Sequence, residues 1–226
     1  MNKELTIIRS EAEDYLLVLR KRYLNVLQMI KDRGYQLVTG VYENIELKDF
    51  TKMVVVANCV ERDRLNLLAT DTNDNGVYIF FPNDSNIGIS SLYKLFRKMS
   101  ERGCKHGIFI NNGKITSASM IAINQSAPKM KIELFDEEFF DLCVIHHELV
   151  PEHQILSTEE KDNFLKKHPL PYNNLPIILS CDPVARYYGI EKGQIVKIKR
   201  VSLLGGVTDY YRICVNSNLM SLSDSH

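Results

Sequence analysis

A chain of 226 residues has room for one large or two small domains, each able to bury a core. Its 28 basic and 28 acidic residues cancel, and a cut after Leu142 leaves nine of each sign on the C-terminal side, so neither half is a basic glove and any DNA contact must be local. No apolar run spans a bilayer, no secretory signal opens the chain, and five scattered cysteines (Cys59, Cys104, Cys143, Cys181, Cys214) make no disulfide framework, so a soluble intracellular protein with reduced, mostly buried thiols is expected.

Leu16, Leu19, Tyr23, Val26 and Ile30 recur at spacings of three and four, the stripe of an opening helix that Gly34 ends. Arg20, Lys21, Arg22 and Lys31 lie mostly off that stripe, toward solvent. Met53 to Val60 is dense in β-branched residues and reads as a strand. The turn Asp71 to Gly76 leads into a second strand, Val77 to Phe81. A helix is predicted from about Ser90 to Arg102, with Leu92, Leu95, Phe96 and Met99 on one side. Lys94, Arg97, Lys98 and Lys105 fall on the other, where Glu101 is the sole acid between Ser90 and Lys105. Lys105 to Ile110 reads as a third strand, Asn111-Asn112-Gly113 as a turn, and Lys131 to Phe135 as a fourth strand after Pro128. This alternation makes residues 1–139 an α/β domain with a mixed sheet.

Residues 140–215 read as a small α+β domain, and 216–226 as a polar, frayed tail. Ser157 and Glu160 have capping-box spacing ahead of Phe164 and Leu165, which starts a short helix. Asp182-Pro183 puts an N-cap oxygen before a proline at the first helical position, and Gly189 closes that helix one to two turns later. Ile195 to Arg200 alternates as a half-buried strand does. Tyr210 to Val215 follows a Gly205-Gly206 turn and should pair with it antiparallel. As the last strand it is expected at a sheet edge, with N–H and C=O groups free for a partner.

Catalytic chemistry has little support. His146-His147-Glu148, with Glu152 and His153, evokes a metalloprotease helix, but the second histidine of His-Glu-x-x-His would fall at Pro151. Glu46-Leu47-Lys48 fits a nuclease acid-x-lysine pattern without a partner carboxylate on an adjacent strand. No phosphate-cradling or nucleophile-elbow motif occurs. No catalytic residue, metal or cofactor is expected.

The strings HHELVPEH (His146 to His153), LSTEEK, DPVARYYG, KGQIVKI and YRICV stand in order over about seventy residues. They resemble the assembly domain of the shared, fifth-largest subunit of eukaryotic nuclear RNA polymerases, whose archaeal counterpart is the short form of the family. KDRGY (Lys31 to Tyr35), HGIFI (His106 to Ile110) and KIT (Lys114 to Thr116) resemble the extra N-terminal jaw domain of the eukaryotic form. The resemblance implies a non-catalytic polymerase subunit that docks on the largest subunit and projects its jaw toward downstream DNA. It places the protein in the nucleus, or in virion and host cytoplasm for a large DNA virus's copy. A free-standing nucleic-acid-binding or nuclease-like protein is the alternative. Partner contacts are expected at His147, Pro151, Asp182, Pro183, Arg186, Tyr187, Tyr188, Gly189, Tyr211 and Arg212. Weak, non-specific DNA proximity is expected at Lys94, Arg97, Lys98, Thr116 and Ser117; no membrane or small-molecule partner is. The family's Thr-Pro-Ser-Ala loop reads Thr116-Ser117-Ala118-Ser119 here, and a second family proline near Asp84-Ser85-Asn86 is absent, so both loops should be harder to hold in one conformation. Ser202-Leu203-Leu204 is apolar where the family is polar, and is expected as a partner surface.

Overall fold

A computed structural model describes residues 2–38, 44–57, 59–72, 74–84, 86–127, 129–168, 174–201 and 206–216, with side chains from residue 12 onward. Ser202-Leu203-Leu204, Ser85, Pro128, Gly205 and the stretch 217–226 lie outside the described residues. The chain divides into two compact units, Met1–Leu142 and Cys143–His226.

The first unit opens with α1 (Asn2–Asp32), whose stripe from Leu16 to Ile30 is buried. Gly34, at φ 83°, turns the chain into β1 (Gln36–Leu37). The strand expected from Met53 to Val60 does not form as one piece. Phe50 and Val54, four residues apart, are both fully buried, so helical register carries α2 (Leu47–Val54) into the β-branched run. The remainder folds as a hairpin, β2 (Val55–Val56) against β3 (Cys59–Val60). A 3₁₀ turn (Arg62–Leu65), β4 (Leu67–Thr70), β5 (Gly76–Phe80) and β6 (Asn86–Ile87) precede α3 (Ile89–Glu101). Then come β7 (His106–Asn111), β8 (Lys114–Ile115), α4 (Ser117–Ser126), β9 (Lys131–Asp136) and a 3₁₀ turn (Glu137–Phe140). The sheet order is β1-β4-β5-β7-β9; its first two pairings are antiparallel and its last two parallel, a mixed sheet as expected. α3 lies close over β7 because position 107 is glycine: a Cβ there would stand 2.6 Å from the Met99 sulfur.

Arg20 and Arg22 are not solvent-facing. Arg20 Nε donates to the Ile45 carbonyl at 2.6 Å. Arg22 Nε donates to Asp141 Oδ1 at 2.5 Å, and its Nη1 lies 3.3 Å from Glu137 Oε2. Glu137 is in turn held by Arg62 Nη1 at 3.0 and 3.1 Å; this pair is only 2% and 3% exposed. The Arg22 hydrogen bond holds the Asp141 carboxyl below its ordinary pKa. Phe140 is buried against Phe135 and Phe139, and its carbonyl accepts from Asn25 Nδ2 at 2.8 Å. Residue 140 therefore packs with the first unit.

A second ionic cluster ties the end of α1 to the sheet. Arg33 donates to both oxygens of Glu133 (3.1 and 2.8 Å), and His106 Nε2 lies 2.7 Å from Glu133 Oε1. Burial alone would push the Glu133 carboxyl up, but the His106 hydrogen bond and the Arg33 charge outweigh it and hold it well below the carboxylate range.

The second unit begins with a 3₁₀ turn (Val144–His146), then β10 (Glu152–Ile155), α5 (Thr158–Lys167), β11 (Ile177–Leu179), α6 (Pro183–Tyr188), β12 (Ile195–Val201) and β13 (Val207–Val215). The sheet order is β10-β12-β13-β11, antiparallel except for β13 with β11. α5 sets Phe164 and Leu165 on the face of Ile195, Tyr211 and Ile213. α6 sets Ala185, with Ile190 after it, on the opposite face, over Val196, Ile198 and Cys214. The sheet is thus covered on both sides by helices too short to stand alone.

Both predicted caps form. Ser157 and Glu160 exchange side-chain and backbone hydrogen bonds in a full capping box. Asp182 Oδ1 accepts from Val184 N at 2.8 Å, and Gly189 takes the left-handed conformation at φ 66°. Gly189 N then bonds the Arg186 carbonyl and Ile190 N the Ala185 carbonyl, which satisfies the last carbonyls of the helix. Two expectations fail. β13 starts three residues earlier than predicted and is an edge strand over only part of its length, because β11, an unpredicted three-residue strand, pairs with its C-terminal end. Of the five free cysteines only Cys104 and Cys214 are buried; Cys143 is half-buried, and Cys59 and Cys181 are exposed.

The folded Glu133 carboxyl titrates below its unfolded value of 4.5, so its contribution is complete above that pH and lost as pH falls beneath it. Glu133→Gln should therefore destabilise the protein by about 3 kcal/mol at neutral pH, and urea melts should show the gap to the parent closing as pH is lowered. Gly189→Ala and Asp182→Ala should each cost about 1 kcal/mol in the same assay.

Candidate functional site

The expected partner residues sit at the two ends and on both faces of the C-terminal sheet. His147 follows the 3₁₀ turn, is exposed, and accepts from Leu149 N through Nδ1 at 3.2 Å. Pro151 is half-buried, and its carbonyl accepts from His153 Nδ1 at 2.6 Å. Burial is the main cause lowering the His153 pKa. Among the described residues no three His, Cys, Asp or Glu side chains converge to hold a metal ion. Glu46 stands at the N-cap of α2 without a side-chain cap bond.

On α6 the expected residues split. Pro183 is exposed; Asp182, Arg186, Tyr188 and Gly189 are half-buried. Tyr187 is only 2% exposed, packed edge-on to Tyr188 with the Cys143 thiol 3.6 Å from its hydroxyl. It is a core residue, so its expected role as an interface anchor does not hold: its ring is spent inside the unit and is closed to a partner. Tyr211 and Arg212 occupy adjacent β13 positions, so their side chains point to opposite faces. Tyr211 stacks on Phe164 at 4.2 Å beneath α5, while Arg212 lies on the α6 face. The structure does not gather these residues into one patch.

It forms one elsewhere. Where β12 and β13 reach their turn, Leu149, Pro151, Val201 and Val207 line a groove of about 610 Å³ with Glu148, Glu152, Lys199 and Arg200. Leu149, Val201 and Val207 are 83%, 81% and 69% exposed. Lys199 is paired with Glu152 at 2.9 Å, and Arg200 lies over the Tyr210 ring at 5.2 Å. The sequence signal was present but slight: an apolar valine ending a lysine-rich strand, and another opening the next.

The expected basic face of α3 is thinner than its sequence. Lys94 projects freely into solvent. Arg97 is exposed but paired to Glu101 at 2.8 Å, four residues on. Lys98 is half-buried, its ammonium 5.0 Å from the centre of the Phe80 ring. Thr116 and Ser117, expected in a loop weakened by its lost proline, instead start α4. The Thr116 hydroxyl accepts from Ser119 N at 3.3 Å and bonds the Ser119 hydroxyl at 2.9 Å; Ser119 donates to the Ile87 carbonyl at 3.1 Å. Beside the second proline-less position, Ser91 Oγ donates to Asp84 Oδ2 at 2.5 Å, and Ser85 lies outside the described residues. At Thr116 a side-chain cap stands in place of ring constraint.

Comparison with known proteins fits this two-unit layout. Residues 20–99 match the family description "RNA polymerase Rpb5, N-terminal domain" and residues 142–214 match "RNA polymerase Rpb5, C-terminal domain". The chain is 35% identical over 195 residues to a Caenorhabditis briggsae protein named DNA-directed RNA polymerases I, II, and III subunit RPABC1, covering 84% of this chain and 92% of that one. The same-named Caenorhabditis elegans protein is 33% identical over 198 residues, with the same coverage. That of Dictyostelium discoideum is 34% identical over 203 residues, covering 88% and 97%. Matched across both its units and over nearly the whole length of these relatives, the chain belongs to the Rpb5 family of RNA polymerase subunits.

Proposed function

We propose that this protein is a non-catalytic subunit of a multisubunit, nuclear DNA-directed RNA polymerase. Its C-terminal unit docks on the largest subunit, and its N-terminal unit stands beside downstream DNA. The observation that carries this reading is the match, over 84–88% of the chain, to proteins named as subunits of polymerases I, II and III. The docking role of the C-terminal unit is supported by its exposed apolar groove, where Leu149, Val201 and Val207 stand together in water beside charged neighbours. Proximity to DNA is supported by Lys94 and Arg97 on α3, with the ordered start of α4 built from the Thr116 cap. Such contacts would act on phosphates and read no sequence. Pro151 at the position of a second zinc-binding histidine is what favours a role without chemistry of its own.

Co-expression with the largest subunit tests the docking role. Deleting residues 1–142 should leave a stable stoichiometric complex, and truncating after Val201 should abolish it, with circular dichroism confirming that each remaining fragment folds. Recovery of the largest subunit by residues 1–142 alone would reverse the assignment.

For DNA, Lys94→Glu should shorten elongation-complex lifetime at low salt and reduce the salt slope by about one phosphate contact. Lys98→Glu should chiefly lower stability, since its ammonium is spent on Phe80. An unchanged salt slope in Lys94→Glu would mean that α3 faces only water.

A further inference from the structure

β13 runs for nine residues, but β11 pairs with only its last three, Ile213 to Val215. The cause is Pro176. In the parallel register that sets Ile177 against Ile213, Ile213 N donates to the Pro176 carbonyl at 2.9 Å. One step back, the Tyr211 carbonyl would need the N–H of residue 176, and proline has none. β11 cannot extend toward the start of β13.

Backbone directions alternate along a strand. Cys214 N points to β12, donating to the Gln194 carbonyl at 2.9 Å, whereas Ile213 N points to the β11 side. Tyr211, Asp209 and Val207 share the direction of Ile213. Their N–H and C=O groups therefore aim past the end of β11, and among the described residues none has a hydrogen-bond partner. Val207 to Tyr210 are exposed and Tyr211 half-buried. The usual protections of an edge are missing: the segment contains no proline, and its one acid, Asp209, is bound to Lys197 at 2.7 Å.

We propose that the outer edge of β13, from Val207 to Tyr211, receives an extended segment of the polymerase's largest subunit as a further strand, in line with β11. This rests on the reading that the C-terminal unit docks there. The surroundings define the segment. On the α5 face it meets Val207, which calls for an apolar residue. On the α6 face it meets Tyr210 and Arg212, with Arg200 over the Tyr210 ring, which calls for an acid. Lys197 and Lys199 are already paired with Asp209 and Glu152, so the two arginines are the cations left on this hairpin for an acidic partner.

The alternation makes the proposal readable amide by amide. The full chain, free and bound to the co-expressed largest subunit, is exchanged in deuterated water, quenched, dissociated and read by NMR. In the free chain the amides of Val207, Asp209 and Tyr211 should exchange fast, and those of Thr208, Tyr210 and Arg212, turned to β12, slowly. In the complex the first three should slow by about a hundredfold while the second three stay unchanged. Fast exchange at 207, 209 and 211 in a complex protected elsewhere within 143–216 overturns the strand and leaves the docking reading intact. No protection anywhere in 143–216 overturns both. Protection in the free chain that rises with its concentration, or that disappears when residues 217–226 are removed, assigns the edge to a second copy or to the chain's own end, and overturns the proposal. As a second measurement, Asp209→Pro removes one outward N–H and should weaken the complex by about tenfold, while Asp209→Ala, which loses only the Lys197 pair, should stay near parental affinity. Equal affinity of the two variants counts against the strand.

Discussion

The N-terminal unit is organised around a charge that water hardly reaches. Arg62 leaves a 3₁₀ turn, enters the interior, and holds Glu137 from the turn after β9. Its Nε donates to the Pro82 carbonyl at 2.9 Å, while Asn83 Oδ1 accepts from its backbone N–H at 2.6 Å. Tyr15 and Arg22 reach the same pair from α1, and the Asn112 amide, with its NH₂ toward Glu137 and its oxygen toward Arg62, reaches it from the β7–β8 turn. Removing two ions from water costs several kcal/mol apiece before any attraction is counted. Such a pair adds little to stability over a well-packed apolar equivalent. What it adds is selection, because any packing of α1 that displaces one partner strands a buried charge. The helix has one acceptable seat.

The C-terminal unit solves a different problem. It is too small for a deep core, so a four-stranded sheet is covered on both faces by short helices whose ends are closed with care. The capping box of α5 and the Asp182–Gly189 bracket of α6 satisfy backbone groups that so few turns cannot satisfy internally. Once the caps fix where each helix begins and stops, Phe164 and Ala185 are committed to the sheet, and apolar surface is left exposed at the β12–β13 end. The same economy separates what is packed from what is offered.

What could be read beforehand divides along the range of the forces involved. Ser157, Glu160, Asp182, Pro183 and Gly189 were legible because a cap is settled within four residues. The α1 and α3 stripes were legible because burial repeats with helical period. β4 and β11 were not: three or four apolar residues carry no period, and only the neighbouring strand decides their state. α4 escaped because Ser117-Ala118-Ser119-Met120-Ile121 has no clear apolar face, and its start is set by a hydrogen bond reaching back to Ile87. The surface charges of α3 were identified correctly as residues but not as free charges, since Glu101 and the Phe80 ring claim two of them only after folding. Tyr187 was misread for a related reason: composition marks it as an interface residue, and only packing shows which way it turned.

The close approach of Met99 to Gly107 reaches beyond the core. The missing Cβ lets a sulfur rest directly on the backbone of β7, and this contact sets the height of α3 above the sheet. Lys94 and Arg97 ride on the far side of the same rigid helix, so their distance from whatever lies outside is gauged by a contact one helix diameter beneath them. A Cβ at position 107 would have to displace the Met99 side chain on which the helix rests, and so disturb the seat of the charged face with no surface residue altered. The position of charge on this unit is thus written partly in its interior, in a glycine and a methionine that never meet solvent.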